Sequence, residues 1–510
     1  MKVMSGSRLL GSVLLGTLIV FAASAPMAAQ QAGDAKAATA EQPTHHYVSK
    51  HSGTFAGRKI SYKVVSEDTQ IKNDAGELIG SIFSFSYLED GAQASKRPVT
   101  FVFNGGPGSS SLWLHLGIGP RRLALDDANP RVNPPYGVID NPDSPFGVSD
   151  LVFIDPVGTG FSRVMGKGTT ADFHGANQDA ASVAQFIERW LTKHRRWDSP
   201  KFLMGESYGT VRASLLTRAL FGLNGSPLRG ISINGLMLIG HDANLLPFTS
   251  EVRFHSSLTT MAATAWFHNR VDRRGRSFEQ FIDEARRFAD NELAAAIRAG
   301  VNIDDTSLAS VAERMAGFTG LSPEYLRANK LRVSGLAFSR ELLASQEKDV
   351  GLYDARFALP KVAPRSAVDL TGGAELNLAD DPSLAMVAPA FVGAFQLYLA
   401  NELGVTVDLP YLSLVDLYAT WSNRGAPVDA GQALIDSMRR NPEMQVMFLG
   451  GWFDVIAAPV GAAEYSAATK LPRDRVTVKG YPSGHMCYLN STVSDVGRDM
   501  SAFIRKAAGN

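Results

Sequence analysis

"KFLMGESYGTVRASLLTRALFG", Lys201 to Gly222, decides how this chain folds. "KFLM" reads as a short strand, and "TVRASLLTRALFG" reads as a helix. Between them lies Gly205-Glu206-Ser207-Tyr208-Gly209, the G-x-S-x-G spacing of a sharp strand-to-helix turn. Such a turn strains the serine backbone and tolerates only small neighbours, which Gly205 and Gly209 supply. A serine hydroxyl is a poor nucleophile until a base takes its proton, so Ser207 needs partners.

On this kind of scaffold the partners follow in the order serine, acid, histidine, each just past a strand. "MQVMFLGGWFD" puts Asp454 shortly after one strand, and "RVTVKGYPSGHMCY" puts His485 after the next. Of the 10 histidines, His485 alone sits late in the chain, ahead of the helical "SDVGRDMSAFIRKAA". The expected roles are His485 as the base that takes the Ser207 proton and returns it to the leaving amine, and Asp454 as the group that orients the ring. The tetrahedral intermediate also needs donors aimed at its oxyanion. "FNGGPGSSS", after the strand "VTFVF", offers the backbone N–H of Gly106. The residue after the nucleophile, Tyr208, offers the other.

Further short apolar runs end in Gly-rich or polar loops: "LVFI" before Asp155, "GLMLI" before Gly240 and "RVTV" before Lys479. Helical stretches such as "DAASVAQFIERWLTKHR" alternate with them. That alternation argues for an α/β fold with a mainly parallel sheet and helices on both faces, and the G-x-S-x-G spacing matches the elbow of α/β hydrolases. The segments "TFAGRKISYKVVSED" and "LIGSIFSFSYLED" read as antiparallel strands before it. From about Leu245 to Gly425 helical patterns dominate. There "SFEQFIDEARRFADNELAAAIRAG" opens with a capping box, Ser277 with Gln280, and stops at Gly300. The expected organisation is a signal peptide over 1–29, a flexible lead-in over 30–45, hydrolase core over 46–245, a helical cap insertion over 246–425 and core again over 426–510.

Lys2 and Arg8, then an apolar run broken by Gly11, Ser12, Gly16 and Thr17, then small residues, read as an export signal. The alternative is an uncleaved anchor. Export to the periplasm or the extracellular space is the expectation, with no membrane insertion after cleavage, because no later stretch reads as long and apolar enough to span. With 50 Lys and Arg against 50 Asp and Glu, the chain has no excess charge for nucleic acid or an anionic membrane. Cys487 is the single cysteine, so an intramolecular disulfide is excluded. Neither metal nor cofactor is expected: there is no H-E-x-x-H, and His45-His46 falls in the lead-in.

The blocks "FNGGPGSSSLWLHLGIGP", "LVFIDPVGTGFS", "FLMGESYGT", "GGWFDVIAAP" and "GHM" resemble, in order, those of the serine carboxypeptidases, and the tail is most similar to their bacterial branch. The resemblance implies removal of single residues from peptide C-termini, with Ser207, Asp454 and His485 as the triad and Gly106 and Tyr208 as oxyanion donors. It further implies that Asn104 and Glu206 hold the substrate's terminal carboxylate. Two bare carboxylates repel, so Glu206 would have to be neutral, and peptide hydrolysis would favour acidic pH. Departures from the family pattern are Ser109 in place of a cysteine, "IGHDAN" in place of Gly-Asn-Gly, and Gly117 where a second acid is expected, which would weaken the clamp. The alternative is an esterase or acyltransferase on the same scaffold.

Overall fold

The backbone amides of a buried apolar run must find partners, and here they find them in one ten-stranded sheet. The computed structural model describes residues 44–125, 133–222, 227–241, 257–361, 381–417, 420–422, 430–457 and 471–509. Three long antiparallel strands come first: β1 (His46–Phe55), β2 (Arg58–Lys72) and β3 (Leu78–Glu89). Then follow β4 (Val99–Phe103), a small ribbon of β5 (Arg121–Leu123) with β6 (Val138–Asp140), β7 (Asp150–Asp155) and the short β8 (Arg163–Val164) against β3. β9 (Lys201–Glu206), β10 (Gly235–Ile239), a second ribbon of β11 (Lys348–Val350) with β12 (Ala358–Pro360), β13 (Gln445–Gly451) and β14 (Val476–Tyr481) complete the strands. The sheet order is β1-β2-β3-β7-β4-β9-β10-β13-β14, and it is parallel from β7 to β14.

Side chains alternate across the sheet and build a core on each face. On one face Phe101, Phe103, Leu203, Leu236 and Leu238 pack under α2 (Ala176–Lys193), α3 (Tyr208–Phe221) and the helix Ala430–Arg440. On the other, Val102, Phe202, Met204, Met237 and Ile239 pack under α1 (Leu112–Ile118) and the helices Pro382–Tyr398 and Val493–Ala508. At about 25 cal/mol per Å² of apolar area removed from water, these two layers are the main force holding the sheet flanked.

The stretch expected as one helical insertion over 246–425 divides between two cores. Helices from Leu258 to Glu341 close a third core of their own around Phe281, Phe288, Leu293, Met315 and Phe338, joined by Phe453 and Val455. Within it the Ser277 capping box is formed, and the helix runs on through a π-turn at Ala289–Leu293 to end at Gly300. Pro382–Tyr398 instead lies against the sheet, with Phe391 on Trp113 and Phe395 on Phe85. Contrary to the sequence reading, Pro382–Leu403 is long and apolar enough by composition to cross a membrane. One face of it, with Val387, Ala390, Phe391, Ala394, Phe395 and Tyr398, is buried in the sheet core, and 44% of the span is buried.

At the amino-terminal end β1 begins at His46, where the core was expected to begin, and only the placing of the two histidines in the lead-in differs. His45 and His46 lie against β2, not in a loose lead-in, with their Nδ1 atoms each 2.6 Å from a carboxylate, of Asp68 and Glu67. Those acidic partners on the neighbouring strand fix the histidines. The expected signal peptide lies outside the described residues, as do Asp242, Ala243 and Asn244 of "IGHDAN".

Candidate active site

The strand register aligns the carboxyl ends of β4, β9, β10 and β13: Phe103 pairs with Gly205, Glu206 with Ile239, and Ile239 with Leu449. In a parallel sheet this edge is where loops gather to form a site. Ser207 leaves β9 with φ 58 and ψ −128, a left-handed conformation that non-glycine residues avoid. Its N–H donates to Ile239 O at 2.9 Å, tying the turn to β10. Ser207 is partly exposed while Glu206 and Tyr208 on either side are buried.

Close backbone approach explains the glycines. A Cβ on Gly205 would run into Gly209 O, and one on Gly105 would lie against Tyr208 N and Glu206 O. The "NGGPG" loop therefore rests directly on the elbow and brings Gly106 beside the amino end of α3. Tyr208 is the first residue of that helix. Behind the loop, Arg212 of α3 donates to Asn104 O and pairs through Nε with Asp179 at 2.7 Å. Its guanidinium lies 5.4 Å from the Phe103 ring centroid and 5.2 Å from that of Tyr208. Asp155 supports the same loop, accepting from Ser111 N and Oγ, both at 2.8 Å. Burial pushes its carboxyl up to about 6.

On the other side, His485 Nδ1 is 2.7 Å from Asp454 Oδ2, and both side chains are buried. The second oxygen of Asp454 accepts from the N–H groups of Ile456 at 3.0 Å and Ala457 at 2.9 Å. Hydrogen bonds to a carboxylate orient it as well as stabilising its charge. Gly240, next to the Ile239 that receives the Ser207 N–H, runs under the histidine: a Cβ there would lie 2.7 Å from His485 Cε1 and Nδ1. The imidazole thus sits over the strand end beside the elbow.

A segment from the helical region stitches the acid and base loops together. Val455 N donates to Leu352 O at 3.0 Å, His485 N to Tyr353 O at 2.6 Å, and Ala355 N to Phe453 O at 2.9 Å. The Tyr353 ring meets the His485 ring edge-on at 5.2 Å. Cβ atoms at Gly451 or Gly484 would collide with this lacing, at Ser483 O and at Asp354 respectively. Residues 351–357 carry no motif, and the sequence reading passed over them.

Asn104 and Glu206 come together with a residue not foreseen, Tyr488. Its hydroxyl donates to Glu206 Oε2, and the Asn104 side chain hydrogen-bonds with both. Burial raises the Glu206 carboxyl to about 7 against the lowering pull of His485 and Tyr488, with Asp454 raising it further. Gly117, where a second acid was expected, has no room for any side chain, because a Cβ there would enter the Tyr488 ring. The signal for Tyr488 was present in "GHMCY" alongside that glycine, but neither residue points to the other without the fold. Cys487 is fully buried, and burial, with Glu206 and Asp454 nearby, pushes its thiol well up. It remains a neutral apolar neighbour. Among the described residues, no three His, Cys, Asp or Glu side chains gather as a metal site requires.

Residues 80–290 match the family described as serine carboxypeptidase. In Arabidopsis thaliana, serine carboxypeptidase-like 44 is 30% identical over 171 residues, 31% of this chain and 33% of that protein. Serine carboxypeptidase-like 5 of the same plant is 29% identical over 129 residues, 24% of this chain and 28% of that protein. The chain therefore spans a third or less of the length of these curated relatives. Among solved structures, a carboxyl esterase from Bacillus coagulans aligns with a TM-score of 0.36 at 11% identity, over 86% of this chain and 98% of that one. The family match ends before Asp454 and His485, whose assignment rests on the contacts above. The matched stretch, residues 80–290, carries both the Asn-Gly-Gly-Pro-Gly loop and the elbow at Ser207, so the similarity to serine carboxypeptidases lies in that part of the chain.

Proposed function

We propose that the protein is an exported serine carboxypeptidase. His485, oriented by Asp454, takes the Ser207 proton as the hydroxyl attacks the last peptide carbonyl. Gly106 and Tyr208 N–H groups receive the charge that develops on the oxygen. The C–N bond breaks as the leaving amine receives the proton from His485, which leaves the acyl group as an ester on Ser207 Oγ; His485 then takes a proton from the water that attacks this ester and passes it to Ser207 Oγ as the acid departs. Asn104 and a protonated Glu206 hold the substrate's terminal carboxylate.

The observation that carries this reading is a buried carboxyl, hydrogen-bonded to Tyr488 and Asn104, one residue from the nucleophile. An esterase has no need of Glu206 with its proton held up to about 7. Below that pH the acid donates to a carboxylate, and above it the two charges repel. Peptide capture should accordingly be strongest on the acidic side and fade as pH rises through about 7. Ester substrates lacking a carboxylate escape this limit.

Mass spectrometry of a peptide ladder incubated with wild type and Ser207→Ala across pH 4 to 8 tests the assignment. The expected result is stepwise loss from the C-terminus by wild type alone, faster on the acidic side. Internal cuts, or loss from the N-terminus, would overturn it.

A further inference from the structure

A carboxyl that must present its proton to an anion has an orientation problem. Its two oxygens are chemically equivalent until something distinguishes them. At Glu206 that something is Tyr488. Burial holds the phenol well above its usual range, so it stays a donor, and its one proton goes to Oε2. An oxygen engaged as acceptor leaves the acid proton to its partner, Oε1. Asn104 is itself oriented, since its Oδ1 accepts from Leu114 N at 3.2 Å and turns its NH2 end toward Tyr488 and Glu206. The other ionisable groups acting on Glu206 are His485, Asp454 and Cys487.

Space makes the arrangement possible. Tyr488 is fully buried, and its ring lies flush on α1 at Gly117, where even a methyl group would overlap it. Gly117 is the second-to-last residue of α1, and the ring packed against it gives a reason for glycine there.

We propose that Tyr488 is a positioning residue: seated where Gly117 leaves room, its hydroxyl holds Glu206 Oε2 as acceptor and so directs the acid proton on Oε1 to the substrate's terminal carboxylate. The proposal rests on the carboxypeptidase reading above. The pair Gly117 and Tyr488 does here the work that a second acid would otherwise do.

The test compares wild type, Tyr488→Phe and Gly117→Ala on an N-acyl dipeptide and on an N-acyl amino acid ester without a terminal carboxylate, from pH 4 to 9. Infrared difference spectra of the resting proteins follow the Glu206 carboxyl, with Glu206→Gln assigning the band. Tyr488→Phe keeps the ring and loses the hydroxyl. It should raise KM for the dipeptide, relative to the ester, about tenfold. It should also move the pH at which dipeptide KM climbs upward by on the order of one unit, because the carboxylate has lost a donor. The carboxyl C=O band should shift to higher wavenumber. Gly117→Ala should give the same signature with the tyrosine still present. An unchanged band, KM ratio and pH profile in Tyr488→Phe would reduce Tyr488 to a space filler and overturn the proposal. A wild type whose dipeptide KM follows the ester's at every pH would instead overturn the clamp itself.

Discussion

The two sides of the site are built in different ways. The nucleophile side, residues 103–112 and 205–212, is held by backbone against backbone, with Gly105 and Gly209 where the two segments touch. The histidine side is held from a distance. Asp454 and His485 arrive on loops after β13 and β14, and a segment from the helical region, Leu352 to Ala355, binds both loops. Both sides join segments distant in sequence, but the first joins loops that follow the adjacent strands β4 and β9, while the second is joined by a segment lying outside the main sheet. A contact of the second kind can be loosened without unfolding the sheet, so the two sides should fail differently when disturbed.

The largest effects should come where the sides meet chemically. Ser207→Ala and His485→Ala should each lower peptide kcat/KM by about 10^4 to 10^6, with the double variant no worse than either alone. Steady-state kinetics beside circular-dichroism melting checks this, and additive losses would mean that the two do not act as a unit. Next, Arg212→Ala strands the buried Asp179 carboxyl and frees Asn104 O. Urea unfolding should show about 3–5 kcal/mol lost, a failure of stability on the nucleophile side. On the histidine side, Gly484→Ala should cost less stability, about 1–3 kcal/mol, while lowering kcat more than it raises KM, because it displaces the segment that seats His485.

The smallest effect concerns Asp155, behind the nucleophile loop. Its carboxyl is raised from 3.8 to about 6 by burial, so the folded protein binds this proton more tightly than the unfolded chain. The corresponding stability is present in full below about pH 4 and is lost as pH rises through about 6. Asp155→Asn removes that titration. The fall in Tm from pH 4 to 7 should shrink by a few degrees in the variant, and an unchanged slope would show that Asp155 does not titrate in this range.

The contrast between the sides also governs what could be read from the sequence. Ser207, Gly106 and Tyr208 were legible because a strained turn and an amide-lined loop demand glycine at fixed spacing, and fixed spacing is visible in a string of letters. Asp454 and His485 were legible only through chain order and their place after strands. Tyr353 and Tyr488 were not, since an ordinary tyrosine acquires a role only when the fold sets it against His485 or Glu206. Gly117 was noticed as a missing acid, and the ring that fills the gap comes from 371 positions further along. Pro382–Leu403 was misjudged although its apolarity is a local property written in the sequence; only the core that buries one face of it required the fold.

One measurement bears most directly on the convergence of the two sides: a crystal structure of the protein after reaction with a fluorophosphonate. The account predicts phosphorus bonded to Ser207 Oγ, with the phosphoryl oxygen about 2.7–3.1 Å from the N–H groups of Gly106 and Tyr208. It also predicts the His485 imidazole within hydrogen-bond reach of the adduct, still paired to Asp454. An unmodified Ser207, or an adduct with the imidazole turned away and the phosphoryl oxygen facing solvent, would contradict it.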